Sequence, residues 1–245
     1  MDKLRKVCVA GVALVAIVAT TMSVSSARPK AKATPINTAA YEPVLDPANF
    51  VSKINNRYLP FPVGRVMVLE GVKDGVTQTE TVTVTSKKRV IEGITATVVH
   101  DVAKHGSTLL EKTSDWYAQD KQGNVWYLGE ATVAYEGGKK DRTGSWQAGV
   151  NDAEPGIVML AHPAILDTYR QELLRGKAED TAWVVHVGGT LKLPLRTVHN
   201  ILATLEATRV EPGSYDKKVY APGIGIVAEQ SLTSVEWARL VSVKG

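Results

Sequence analysis

The residues with most to offer chemically are aromatic. Trp116-Tyr117 and Trp126-Tyr127 stand on either side of Asp120-Lys-Gln-Gly-Asn124, and Trp146 follows further along the chain. Neighbours on a strand point to opposite faces, so each pair sends one ring inward and one outward. Cross-strand aromatics stabilise a sheet by packing alone. The same rings, with Trp146 as a lid, could instead line a pocket for an apolar or sugar-like ligand. Trp116, Tyr117, Trp126, Tyr127 and Trp146, with Glu130 and His100, form the candidate ligand-binding set.

Other chemistries find less support. Asp120–Asn124 with Glu130 faintly resembles an oxygen-rich calcium loop, but Lys121-Gln122 occupies positions where ligands would help, and strands flank it. A plain hairpin turn follows instead. His100 falls on the apolar side of its strand and His186 does so less clearly; a histidine on such a face is usually a hydrogen-bonded core residue. His100, His105, His162, His186 and His199 show neither H-E-x-x-H nor H-x-H spacing, so no metal site is predicted. No G-x-S-x-G elbow exists, because Gly144-Ser-Trp lacks the second glycine. Gly223-Ile-Gly225 is followed by no third glycine or helix, which makes it a turn rather than a phosphate cradle. Glu179-Asp180 is expected in a solvated turn, its two carboxylates diverging. No catalytic residue and no cofactor is predicted. An enzyme, hydrolytic or metal-dependent, would need a site assembled only by the fold, from candidates such as His100, Asp115 and Glu130.

The elements that must position these residues are strands. Thr77–Thr85 alternates threonine with Gln78, Glu80, Val82 and Val84, and Ile94, Ala96, Val98, His100 and Val102 alternate against Thr95, Thr97 and Asp101. Leu109–Ala118 and Val125–Glu130 form a hairpin in which Gly123 supplies a positive φ. Thr132–Glu136, Ala182–Val187, Thr190–Leu195, Thr197–Val210, Ser214–Ala221 and Ile224–Leu232 complete the set. Gly144 to Pro163 reads as an irregular packed loop. Ile165, Tyr169 and Leu173 recur at helical spacing, and Asp46-Pro47 opens a short helix through Ile54. Some eight to ten strands result: a mainly β fold, one antiparallel curled sheet forming a barrel or half-barrel, with a short N-terminal helix.

The N-terminus reads as a secretory signal. Lys3, Arg5 and Lys6 precede an apolar run from Val7 to Ala19, and Ser25-Ser26-Ala27 ends in a small-residue cleavage pattern. The expected organisation is a signal peptide at 1–27, a flexible leader at 28–45 and a β-rich domain at 46–245. Cys8 lies within the signal, before most of the apolar run, which argues against a lipoprotein. The mature chain then lacks thiols, excluding disulfides and cysteine-ligated metals. Removing residues 1–27 takes three of 29 basic and one of 25 acidic residues, leaving 26 against 24. That balance gives no argument for nucleic acid, and no membrane segment is expected after cleavage. The expected location is secreted or periplasmic.

Four segments carry a resemblance: Asn56-Arg-Tyr-Leu-Pro-Phe-Pro-Val-Gly64 with Glu70-Gly71; Asp115–Glu130; Gly144-Ser-Trp-Gln-Ala-Gly-Val150 with Pro155-Gly-Ile157; and Tyr220-Ala-Pro-Gly-Ile-Gly225. Over about Asp46 to Leu232 the chain resembles a family of secreted bacterial β-rich proteins without an assigned function. Pro62 lies one place before the position the family favours, and Met67 and Leu69 stand where it favours aromatics. The resemblance implies an exported β fold and supplies no catalytic residues. The function expected is capture of a small apolar or amphipathic ligand within a curled sheet. The alternatives are a surface protein-interaction module and the fold-assembled enzyme.

Overall fold

A computed structural model describes residues 41–245, apart from Asp74. The expected signal peptide at 1–27, and the expected leader up to residue 40, lie outside the described residues. Asp46 caps a single 3-10 turn, Pro47–Asn49, its carboxylate accepting from the Ala48 N–H at 2.9 Å. The expected helix through Ile54 does not form, because Phe50 and Val51 pair with Asp120 and Gln119 as a short strand, β1 (Phe50–Val51).

The chain then runs almost wholly as strands. β2 (Val66–Lys73), β3 (Val76–Ile91), β4 (Ile94–His105), β5 (Thr108–Asp120) and β6 (Val125–Glu136) form an antiparallel meander. The short strands β7 (Lys139–Asp141) and β8 (Trp146–Gln147) pair back on β6. β9 (Glu154–Met159) follows, then β10 (Thr168–Arg170), β11 (Glu172–Leu173) and β12 (Asp180–Val187). A separate two-stranded hairpin, β13 (Thr190–Lys192) with β14 (Thr197–His199), leads to β15 (Leu202–Thr208), β16 (Asp216–Ala221), β17 (Gly225–Ser231) and β18 (Trp237–Lys244). Thr197–Val210, expected as one strand, is therefore two, broken where Asn200 takes φ 53°.

Sixteen strands share one sheet: thirteen run in the order β10-β12-β15-β16-β17-β18-β2-β3-β4-β5-β6-β9-β11, and β1, β7 and β8 attach to β5 and β6 beside that path. Its two ends, β10 and β11, are separated along the chain by Gln171 alone. Thr168–Arg170 pairs with β12, and after Gln171, whose N–H donates to the Asp180 carbonyl at 2.9 Å, Glu172–Leu173 pairs with β9. One six-residue stretch thus carries both ends of the sheet and all but closes the barrel. Closure requires Gly156 on β9: a Cβ there would lie 2.3 Å from the Gln171 carbonyl carbon. The helical spacing of Ile165, Tyr169 and Leu173 is overridden by this double pairing. The stretch from Gly144 to Pro163 is likewise not a loop throughout, since β8 and β9 are built from it.

One end of the barrel is crossed by a strap, residues 54–65. Asn56 is buried and makes four bonds: its Nδ2 donates to the Gly123 and Leu160 carbonyls, and its Oδ1 accepts from the Tyr58 and Leu59 N–H groups. Gln119 holds the same strap, its Oε1 accepting from Asn55 and Asn56 and its Nε2 donating to Asn55 Oδ1. At the far side the Arg57 carbonyl accepts from Gly223, and Arg65 donates to the Gly223 carbonyl at 2.9 Å. Buried Tyr58, Leu59 and Phe61 hang from the strap into the core. Three of the four quoted motif segments meet here, and their residues serve architecture.

Candidate functional site

Register defines which residues share the inner face. Glu80 is level with Ala103, Glu111 and Ala134, and one step along Val82 is level with Asp101, Thr113 and Thr132. On the opposite wall Ala182 is level with Glu206, Asp216 and Ser231, and Val184 with Thr204, Lys218 and Glu229. The lumen is therefore belted by acidic side chains. Asp101, Glu111, Asp115, Glu130, Glu172, Asp180, Glu206 and Asp216 are buried, whereas Lys218 is the one buried lysine or arginine among the described residues.

Lys218 Nζ lies 2.9 Å from Glu206 Oε2. Burial would lower its pKa, but Glu206, Glu229 and Asp180 more than offset that, so it stays charged. One cation cannot neutralise the belt, and burial holds the remaining carboxyls toward their protonated forms. Glu111 is pushed up to about 8 by burial, against the pull of Lys73. Asp115 rises to about 7 through burial, although the Tyr127 hydroxyl donates to its Oδ1 at 2.7 Å. Glu229 also rises to about 7, and Asp180 and Asp216 to about 6, again from burial first. Asp101 and Glu172 rise well above the ordinary range, with Glu80 the main charged neighbour of Asp101 and Asp180 that of Glu172. The expectation that Glu179-Asp180 is a solvated turn fails for Asp180, which opens β12 and faces inward; Glu179 is half-buried just before that strand, accepting from the Gly176 N–H.

The aromatic candidates divide between the faces. Tyr117 and Tyr127 stack at 4.9 Å, Phe61 lies 4.8 Å from Tyr117, and Trp146 sets its edge on Tyr127 at 5.3 Å. Tyr127 is fully buried and Trp146 nearly so, making this row a packed floor beneath the carboxylates. Trp116 faces the other way, under the Arg89 guanidinium at 4.0 Å, while Arg89 donates to Gln147 Oε1. Trp126 is also outside the row: its Nε1 donates to Asp120 Oδ2 at 2.8 Å, and Phe50 meets it edge-on. Glu130 joins the inner face level with Asp115. His100 does not. It is half-buried, with Nδ1 3.0 Å from Ser114 Oγ, and burial together with Lys87 and Lys112 lowers its pKa. His100 therefore lies on the opposite face from Asp115 and Glu130, and that trio is not assembled. The Asp120–Asn124 loop is a hairpin turn: Asp120 accepts from Asn124 and Trp126, and Gly123 takes φ 98°.

Sequence reasoning missed the belt because its members are scattered over seven strands and look like ordinary solvent-side acids. It also missed a β-bulge. Asp115 pairs with Glu130 and Tyr117 with Tyr127, so β6 spends three residues where β5 spends two. Strict alternation would put Tyr127 and Glu130 on opposite faces; the extra residue at Leu128-Gly129 brings both inside.

The lumen opens beside β2, β3, β17 and β18 as a cleft of about 60 Å³, bordered by Lys73, Gln78, Glu80, Glu229, Ser231 and Glu236, with Leu69 beneath. That is room for a few waters or one small polar head group. Among the described residues no group of three or more His, Cys, Asp or Glu side chains is placed to hold a metal ion, and no helix is long and apolar enough to cross a membrane.

No protein-family model matches the chain, and no curated protein matches it. Among solved structures it is similar to the crystal structure of a protein provisionally classed as a lipoprotein from Parabacteroides distasonis. The TM-score is 0.40 and the identity 11%, over 77% of this chain and 99% of that one. A likeness at that level carries no functional information.

Proposed function

We propose that this protein is an exported binding protein that holds a small amphipathic molecule in the mouth of its barrel. Export is read from the basic, apolar and small-residue order of residues 1–27. The binding reading rests on one observation: the cleft has an apolar base at Leu69 and a wall of inward-facing polar groups, Glu80, Glu229, Ser231 and Gln78, above a sealed aromatic floor. Ligand pockets combine apolar lining with a few convergent polar groups in this way. The site thus moves from the aromatic hairpin to the neighbouring rim of the same lumen. Native mass spectrometry of the protein purified gently from its host tests it. A bound small molecule, lost on denaturation and lost in a Leu69→Trp variant that fills the cleft, is the expected result. A clean apoprotein mass from the wild type would count against the reading.

A surface-interaction role has its own observation. Val235 is 82% exposed, Leu232 53% and Trp237 42%, beside an outer groove bordered by Leu191, Val219 and Ala228. Exposed apolar side chains grouped in this way mark contact surfaces.

A further inference from the structure

We infer that the ligand of the barrel mouth is an organic cation, a primary amine or guanidinium on an apolar body. The inference rests on the binding reading above and assigns its ligand class.

Three observations carry it. The first is the imbalance of buried charge, with Lys218 alone set against the acids of the inner face. The second is a set of buried polar atoms left without a protein partner. Tyr169 sits level with Ala182 and so with Glu206; it is only 7% exposed, it lies in the field of Glu206 and Lys218, and its hydroxyl has no partner. Glu111 Oε2 and Asp216 Oδ1 are likewise buried without a partner. Buried acceptors of this kind are satisfied by water or by a donor from outside. The third is dispersion. The carboxylates occupy successive levels of different strands, and among the described residues they do not converge as a metal shell would require. An ammonium or guanidinium carries several donors, is satisfied by carboxylates that do not converge, and fits a head-group-sized opening.

Lys73 from β2, Gln78 and Glu80 from β3, Glu229 from β17 and Glu236 border the mouth, and Asp101 from β4, Glu111 and Asp115 from β5, Glu206 from β15 and Asp216 and Lys218 from β16 stand behind them on the inner face. Near pH 7 several of these carboxyls hold their protons. A cation entering among them favours the ionised form, so each newly ionised carboxyl passes its proton to solvent while the ammonium keeps its own. Glu80 and Glu229 border the opening and meet the ligand first, Glu229 in the field of Lys218 and Lys73.

The test is titration calorimetry of the full mature protein with three probes of one chain length, octylammonium, octanol and octanoate. Octylammonium is expected to bind, with net proton release shown by different heats in phosphate and Tris at pH 7. Its affinity should rise between pH 6 and 8, by about tenfold per pH unit for each proton released. Glu229→Gln and Glu80→Gln should each weaken it by about tenfold, the loss of one charge-assisted hydrogen bond, while far-ultraviolet circular dichroism stays unchanged. Glu70→Gln, on the outward face of β2, should leave it intact. Octanol or octanoate binding as tightly as octylammonium would overturn the cation assignment and leave the binding reading standing. An equal loss in Glu70→Gln would overturn the lumen location. No binding by any of the three at millimolar concentration would sink both.

Discussion

Glu111 shows how a single side chain makes this molecule sensitive to pH. Its carboxyl titrates near 8 in the folded chain against an ordinary value of 4.5, chiefly because it is buried. The folded state therefore holds a proton that the unfolded state has released between those two values. Stability contributed by this group is complete below about pH 4.5, falls as pH rises, and stops falling above about pH 8. The slope is of order 1.4 kcal/mol per pH unit for one fully coupled proton. Urea denaturation at pH 5 and pH 8 should find the wild type less stable at the higher pH, and Glu111→Gln should remove one proton's share of that slope, the other raised carboxyls keeping the rest. A variant with an unchanged pH slope would show that solvent reaches Glu111 in the fold. Lys218 behaves oppositely. Because its partners Glu206 and Asp180 are themselves buried, Lys218→Met leaves them unpaired, and a cost of about 3–5 kcal/mol is expected at pH 8. The same substitution should cost less at pH 5, where protonation relieves the neighbouring acids.

At the scale of the element, the features that matter are departures from regularity. Gly156 lets β9 approach the Arg170–Gln171 backbone, and Gly156→Ala would press a methyl group to 2.3 Å from a carbonyl carbon. A loss of about 1–3 kcal/mol is expected, as for other overpacked sites. Limited proteolysis should then cut between β9 and β12, the stretch released when the closing corner lets go; an unchanged digestion pattern would show that closure does not depend on Gly156. Most strands were legible in the sequence wherever one face is dry and the other wet. Thr77–Thr85 and Ile94–Val102 display that alternation plainly, and the Asp120–Asn124 turn announces itself through Gly123. The closing corner was not legible, because Thr168–Leu173 owes its strand state to partners on both sides rather than to any pattern of its own. The helix proposed at Asp46–Ile54 had sound capping chemistry, yet pairing of Phe50-Val51 with β5 outweighed it. The candidate site was read only in part. Tyr117, Tyr127, Trp146 and Glu130 do gather on one face, but bringing Tyr127 and Glu130 together needs a bulge that no alternation rule foretells. The rim acids Glu80 and Glu229 become visible only once β3 and β17 curl round to face the same opening.

For the whole molecule, the near-neutral formal charge conceals a separation of sign. Among the described residues ten carboxylates and a single lysine are buried, so the accessible surface is markedly more basic than the composition implies. Protonation within the lumen adds to this. Glu111 holds its proton at pH 7, Asp115 and Glu229 do so in part, and burial pushes Asp101 and Glu172 in the same direction. Unfolding at pH 7 should therefore release about two protons or more, measurable by calorimetric melting in buffers of different ionisation enthalpy. Unfolding without proton release would show the belt to be ionised and hydrated.

The sheet's order has a consequence for the way such a chain is made. β2, at the start of the meander, has β18 as its outer partner, with Leu69 level with Leu240. The first long strand to emerge therefore waits for the last, and until then β2 and β17 both present unpaired edges. Contacts this remote in sequence form slowly. That delay makes the segment Trp237–Lys244 a latch. A chain stopped at Glu236 should aggregate through its open edges, and a synthetic peptide of residues 237–244, added during refolding, should restore the monomer.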